Sequence, residues 1–125
     1  MSTGELWAFL PVGYLLTVAI EVPLLLVGLS KRHTVRERLL AGLWLTACTY
    51  PIVVVVLPTL MWSRYSETAY LWVAETFAPA AECGLFWLGF VRGKPKSLGA
   101  TCRDFTAIVV ANLASFAFGE WAFGA

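Results

Sequence analysis

Four long apolar stretches separated by short polar ones make up most of this chain: Trp7 to Leu29, Leu39 to Trp62, Ala69 to Phe90 and Phe105 to Phe123. Each approaches the roughly 20 residues that an α-helix needs to cross a hydrocarbon core. The pattern predicts an all-α integral membrane protein, a single domain over residues 1–125 built as a bundle of four transmembrane helices at about 7–29, 39–62, 69–90 and 105–123. The short connections make neighbouring helices antiparallel. Thr34-Val35-Arg36-Glu37 has the form of a capping box, which starts the second helix before its apolar run. Asp104 is placed to cap the fourth helix, and Gly93 and Pro95 to end the third. The chain contains no internal repeat, linker or low-complexity tract.

Composition strengthens the membrane expectation. Of 125 residues, 59% are hydrophobic and 14% charged, and the mean hydropathy of +0.75 is too apolar for a water-soluble domain of this length. Lys31, Arg32, Arg36 and Arg38 lie in the first connection and Arg92, Lys94, Lys96 and Arg103 in the third, against Arg64 alone in the second. Basic residues concentrate on cytoplasmic loops, so both termini are expected outside the cytoplasm. The N-terminus lacks the basic flank and cleavage pattern of a removable signal peptide. A net charge of +1 leaves no basic surface for nucleic acid. Cys48, Cys83 and Cys102 have no C-x-x-C spacing, so neither a disulfide framework nor a metal site is expected. Trp7, Trp62, Tyr65, Tyr70, Trp72 and Trp121 gather toward the outer interface, where amphipathic rings anchor helices.

Counting each helix from its basic end brings a polar layer to one depth: Glu21, Thr46 and Thr49, Glu82, and Asn112 and Ser115, with all four helices contributing. Glu75 shares the Glu82 face almost two turns away, and Glu120 lies close to the outer interface. Pro23, Pro51 and Pro79 are expected to kink their helices, freeing the carbonyls of Ala19, Ala47 and Glu75. Bare carboxylates inside a membrane are costly, so Glu21, Glu75 and Glu82 either hydrogen-bond helices together or hold an exchangeable proton or cation. Thr49, Asn112 and Ser115 are candidate partners in such a site. Ala107, Ala111, Ser115 and Gly119 form a small-residue ridge for close helix approach. His33, in a basic loop, is expected at the surface.

The combination of Glu21 and Pro23, Tyr50-Pro51, Glu75-x6-Glu82 and Asn112-x2-Ser115-x3-Gly119 resembles a loose group of small bacterial four-helix membrane proteins. The resemblance covers the whole chain and implies residence in the cytoplasmic (inner) membrane, without an activity. Ala19-Ile20-Glu21-Val22 is similar to the helix-one motif of small multidrug resistance transporters, dimeric four-helix proteins that couple cargo to a proton on one glutamate. The further acids on helices three and four depart from that family's pattern.

Of three functional classes, a membrane subunit, a carrier and a membrane enzyme, the first two draw on these features. One is a non-catalytic membrane subunit or assembly partner, as a homodimer or within a larger membrane complex, whose polar layer holds helices together. The other is a small proton- or cation-coupled transporter with Glu21 and Glu82 as coupling acids and Glu75 as an outer relay. Enzymatic activity is not expected: no nucleophile with a base, phosphate loop or His-rich set is present, and no cofactor is implied.

Overall fold

The computed structural model describes residues 3–61 and 66–123. It is all-helical: α1 (Thr3–Gly28), α2 (Val35–Pro51), α3 (Leu57–Met61), α4 (Glu67–Phe86) and α5 (Leu98–Phe123), with π-helical turns at Ile52–Val56 and Trp87–Val91. The first π turn joins α2 to α3 and the second extends α4, so the described residues form four helical rods over 3–28, 35–61, 67–91 and 98–123. At 1.5 Å per residue each is about 35–40 Å long. Among the described residues one helix, over Leu10–Gly28 with mean hydropathy 2.0, is by itself long and apolar enough to cross a membrane. The second expected span is divided by the first π turn, the third runs through α4 and ends in the second π turn, and the fourth shares its helix with Arg103 and Asp104.

The helix ends follow local chemistry. Thr34 accepts from the Glu37 amide while the Glu37 carboxylate accepts from the Thr34 amide, closing the expected capping box. Ser66 caps α4 by accepting from the Ala69 amide. The expectation for α5 is corrected: the helix begins at Leu98, where the Ser97 hydroxyl accepts from the Ala100 amide at 3.2 Å. Asp104 therefore lies inside α5, and its carboxylate is used elsewhere. The helices pass through Pro23 and Pro79 without a break, whereas Pro51 leads directly into the first π turn. A π turn displaces carbonyls from their usual partners, and the Val53 carbonyl accepts from the Tyr70 hydroxyl of α4 at 2.6 Å. Trp62, Arg64 and Tyr65 lie outside the described residues, as do the side chains of Trp7 and Glu120.

Two glycines set how closely α1 meets its neighbours. A Cβ on Gly42 would stand 2.7 Å from Val22 Cγ2, and one on Gly28 would stand 2.9 Å from Ala107 Cβ. Both distances are below ordinary carbon contact, so these crossings depend on the missing side chain. The small-residue ridge of α5 is used at Ala107, Ala111 and Ser115 but not at Gly119, where nothing lies within 4 Å of a built Cβ. Toward the basic end the rods close on Leu25, Leu29, Ala41, Leu45, Phe86, Val91, Ile108 and Ala111. Toward the other end they separate, leaving a cavity of about 200 Å³ lined by Gly13, Leu16, Thr17, Ile20, Tyr50, Ser115, Phe118 and Gly119.

Candidate functional site

The polar layer expected from depth counting is assembled in the interior. Glu21 on α1, Thr46 and Thr49 on α2, Glu82 on α4 and Asn112 on α5 are all buried, and Ser115 is partly so. They surround a chamber of about 180 Å³, which Glu75, Thr17, Tyr50 and Phe116 also line. That volume accommodates several waters or one small ion with its shell. Trp72 and Trp121 are exposed on the outside of the bundle.

The hydrogen-bond geometry bears on the protons in this chamber. Thr49 Oγ1 lies 2.8 Å from Glu82 Oε2 and 3.0 Å from the Leu45 carbonyl. Ser115 Oγ lies 2.6 Å from Glu21 Oε2 and 3.0 Å from the Asn112 carbonyl. A hydroxyl has one hydrogen to donate and two lone pairs, so each faces two acceptors with a single proton. A protonated carboxyl resolves the conflict by donating to the hydroxyl, which then serves the backbone carbonyl. An ionised one leaves two acceptors sharing one hydrogen. Asn112 Nδ2 has enough hydrogens to donate both to Glu82 Oε1 at 3.2 Å and to the Ile108 carbonyl at 2.9 Å. Glu21 Oε1 and Thr46 Oγ1 are buried without a protein partner, both on residues that line the chamber. Buried polar atoms left unpaired by protein are places where water, a proton or a cation belongs.

A second polar cluster closes the basic end, and the sequence reading missed it. His33, expected at the surface, is buried, with 1% exposure, and Asp104 is wholly buried. Asp104 Oδ1 accepts from the Ser30 amide at 2.7 Å, and Oδ2 from Arg32 Nη2 at 3.0 Å and His33 Nε2 at 2.8 Å. Lys94 Nζ reaches His33 Nδ1 at 2.7 Å and Glu37 Oε2 at 2.8 Å. Burial pushes the Asp104 carboxyl upward, but the hydrogen bonds from Ser30, His33 and Arg32 outweigh it and hold the group below the usual aspartate range. Glu37 is also lowered, first by the hydrogen bond from Lys94 and then by the Thr34 amide.

Two arginines complete this end by donating to carbonyls at the α1 C-terminus and in the connection after it. Arg38 donates to the Leu26 and His33 carbonyls, and Arg103 to those of Gly28 and Val27. Cationic donors at a helix C-terminus satisfy orphan acceptors and oppose the helix dipole together. Two signals in the sequence pointed to this cluster: Asp104 is an acid among basic loop residues, and His33 is the chain's single histidine.

No family model, curated protein or solved structure matches the chain. Its function is therefore argued from the chamber and the surfaces around it.

Proposed function

We propose that this chain is a multi-pass protein of the cytoplasmic membrane, with one span within each of its four helical rods and both termini outside. Its chamber exchanges a proton for a small cation. The distribution of polarity supports membrane residence: Leu15, Val27, Leu60 and Trp72 are 64–78% exposed on the outside, whereas Glu21 and Glu82 are 2% exposed inside. Apolar surface of this extent calls for a lipid or protein covering. The concentration of eight of the nine basic residues in the first and third connections supports the orientation.

The observation that carries the exchange reading is the proton count. Two hydroxyls with one hydrogen each face two carboxyl oxygens and two backbone carbonyls. A neutral carboxyl satisfies the arrangement, and a cation in the chamber would compensate an ionised one. Either occupant neutralises the same site, which is the requirement for coupling one to the other. Glu75 lines both the chamber and an adjoining cavity of about 300 Å³ between α4 and α5, so it is suited to relay between them.

Reconstituted vesicles test this reading. A sodium or potassium gradient should drive proton movement, reported by an interior pH dye, in wild type but not in Glu21→Gln or Glu82→Gln. Dye traces identical to those of protein-free vesicles would remove the exchange reading.

The second reading, a non-catalytic subunit or assembly partner in a homodimer or larger complex, is favoured by Glu82. Its two oxygens each take a hydrogen bond from protein, as a structural fastener would.

A further inference from the structure

His33 lies between an acid and a base in a geometry that fixes its proton. A lysine ammonium has only donors, so the 2.7 Å contact from Lys94 Nζ makes His33 Nδ1 an acceptor. The ring hydrogen is then on Nε2, donating to Asp104 Oδ2 at 2.8 Å. This is a neutral imidazole with a defined tautomer, assigned from its partners on both sides. Every charged group around it has a place: Asp104 from α5, Arg32 from its own connection and bound to Asp104, Lys94 from the connection after α4, Glu37 from α2 and bound to Lys94, and Arg38 from α2 on the His33 carbonyl. From α4 the ring of Phe86 meets it, edge-on with centroids 5.0 Å apart.

We infer that His33 is a proton-binding site whose occupancy displaces Lys94 from the ring and breaks one tie between the connections after α1 and α4. A proton arriving at Nδ1 turns the acceptor into a donor pointing at an ammonium 2.7 Å away. Two cationic donors cannot share that contact, so Lys94 withdraws toward Glu37 and water, while the imidazolium stays paired with Asp104. Lys94 and Glu37 are about a quarter exposed, with side-chain exposures of 23% and 30%, which gives the proton a way in. The contact that breaks joins the connection after α4 to the connection after α1, and no backbone hydrogen bond among the described residues duplicates it. Phe86 links this event to the apolar plug beneath the chamber. That consequence for the chamber rests on the exchange reading above; the proton site itself does not.

His33 is the only histidine, so nitrogen-15 histidine NMR of the full chain in detergent reports on it alone. At alkaline pH the spectrum should show the neutral ring with hydrogen on Nε2. Acylation by a water-soluble amine reagent then follows the latch, with exposed Lys96 as the internal reference. As the pH is lowered, the Lys94 to Lys96 labelling ratio should rise several-fold in step with imidazolium formation. In His33→Asn, which can accept from Lys94 but cannot bind the proton, the ratio should stay low and flat. A neutral ring carrying its hydrogen on Nδ1, or a wild-type ratio that stays flat while the imidazolium forms, overturns the inference. The NMR decides even if His33→Asn fails to fold. Failure of the vesicle assay in Glu82→Gln and wild type alike would remove the chamber reading without altering this ratio.

Discussion

The ring of Phe86 stands edge-on to the imidazole of His33 at 5.0 Å, one helical turn from Glu82 on the same face of α4. Phe86 therefore separates two polar layers, the acid chamber on one side and the His33–Asp104 pair on the other. Its neighbours in that partition are Leu25, Leu45 and Ile108, all at most 1% exposed. Phe86 is the largest fully buried side chain in this partition, so the loss of its ring matters. Phe86→Ala should cost about 3–5 kcal/mol, in the range for a deleted core aromatic, read as a lowered Tm in detergent. An unchanged Tm would mean that the layer is not the packed core described.

Removing the Asp104 charge should be among the most damaging changes outside the apolar core. Asp104→Asn removes the charge and leaves one acceptor oxygen to serve either the Ser30 amide or Arg32 and His33, with the guanidinium still partly buried, and breaking a buried pair on one side costs roughly 3–5 kcal/mol. The pH dependence has a definite sign. Because the folded carboxyl lies below its ordinary value of 3.8, its stabilisation is complete above that value and is lost as pH falls through the folded value. Wild type should thus lose stability in acid below about pH 4, and Asp104→Asn should lack that part of the decline. Equal acid sensitivity in both would assign the effect to other carboxyls.

The α1 crossings should discriminate sharply among glycines. Gly28→Ala puts a methyl 2.9 Å from Ala107 Cβ, which cannot rotate away, and Gly42→Ala puts one 2.7 Å from a methyl of β-branched Val22. Overpacking of this kind costs about 1–3 kcal/mol. Gly119→Ala meets nothing within 4 Å and should be neutral. Thermal unfolding of the three variants in one detergent checks the order, and equal effects would contradict it.

This contrast shows what the sequence could and could not convey. Glu21, Thr49, Glu82, Asn112 and Ser115 were legible because each is an isolated polar residue in an apolar run, so counting residues from the basic end was enough to place it. The ridge at Ala107, Ala111, Ser115 and Gly119 was legible as a helix face. Its failure at Gly119 was not, since the i, i+4 spacing continues where α1 and α5 have already separated. His33 was misread because its partners Asp104 and Lys94 are 71 and 61 residues away, and a loop histidine among arginines carries no periodicity that foretells burial. Asp104 resembled an N-cap because the apolar run starts beside it, but Ser97 had already started the helix.

The orientation proposed from basic-residue asymmetry predicts that a reporter fused at Ala125 is active only when exported. A fusion active only in the cytoplasm would invert the sides and leave the interior layers as they are.

The central claim is that Glu21 and Glu82 hold exchangeable protons in the chamber. Its most direct test is the infrared carboxyl band of the protein in membranes at neutral pH, compared among wild type, Glu21→Gln and Glu82→Gln. Glutamine keeps the shape and much of the hydrogen bonding but has no carboxyl proton. The account predicts a protonated-carboxyl band in wild type that responds to pH and loses a distinct component in each variant. A wild-type spectrum without that band, or one that both variants leave unchanged, would contradict it.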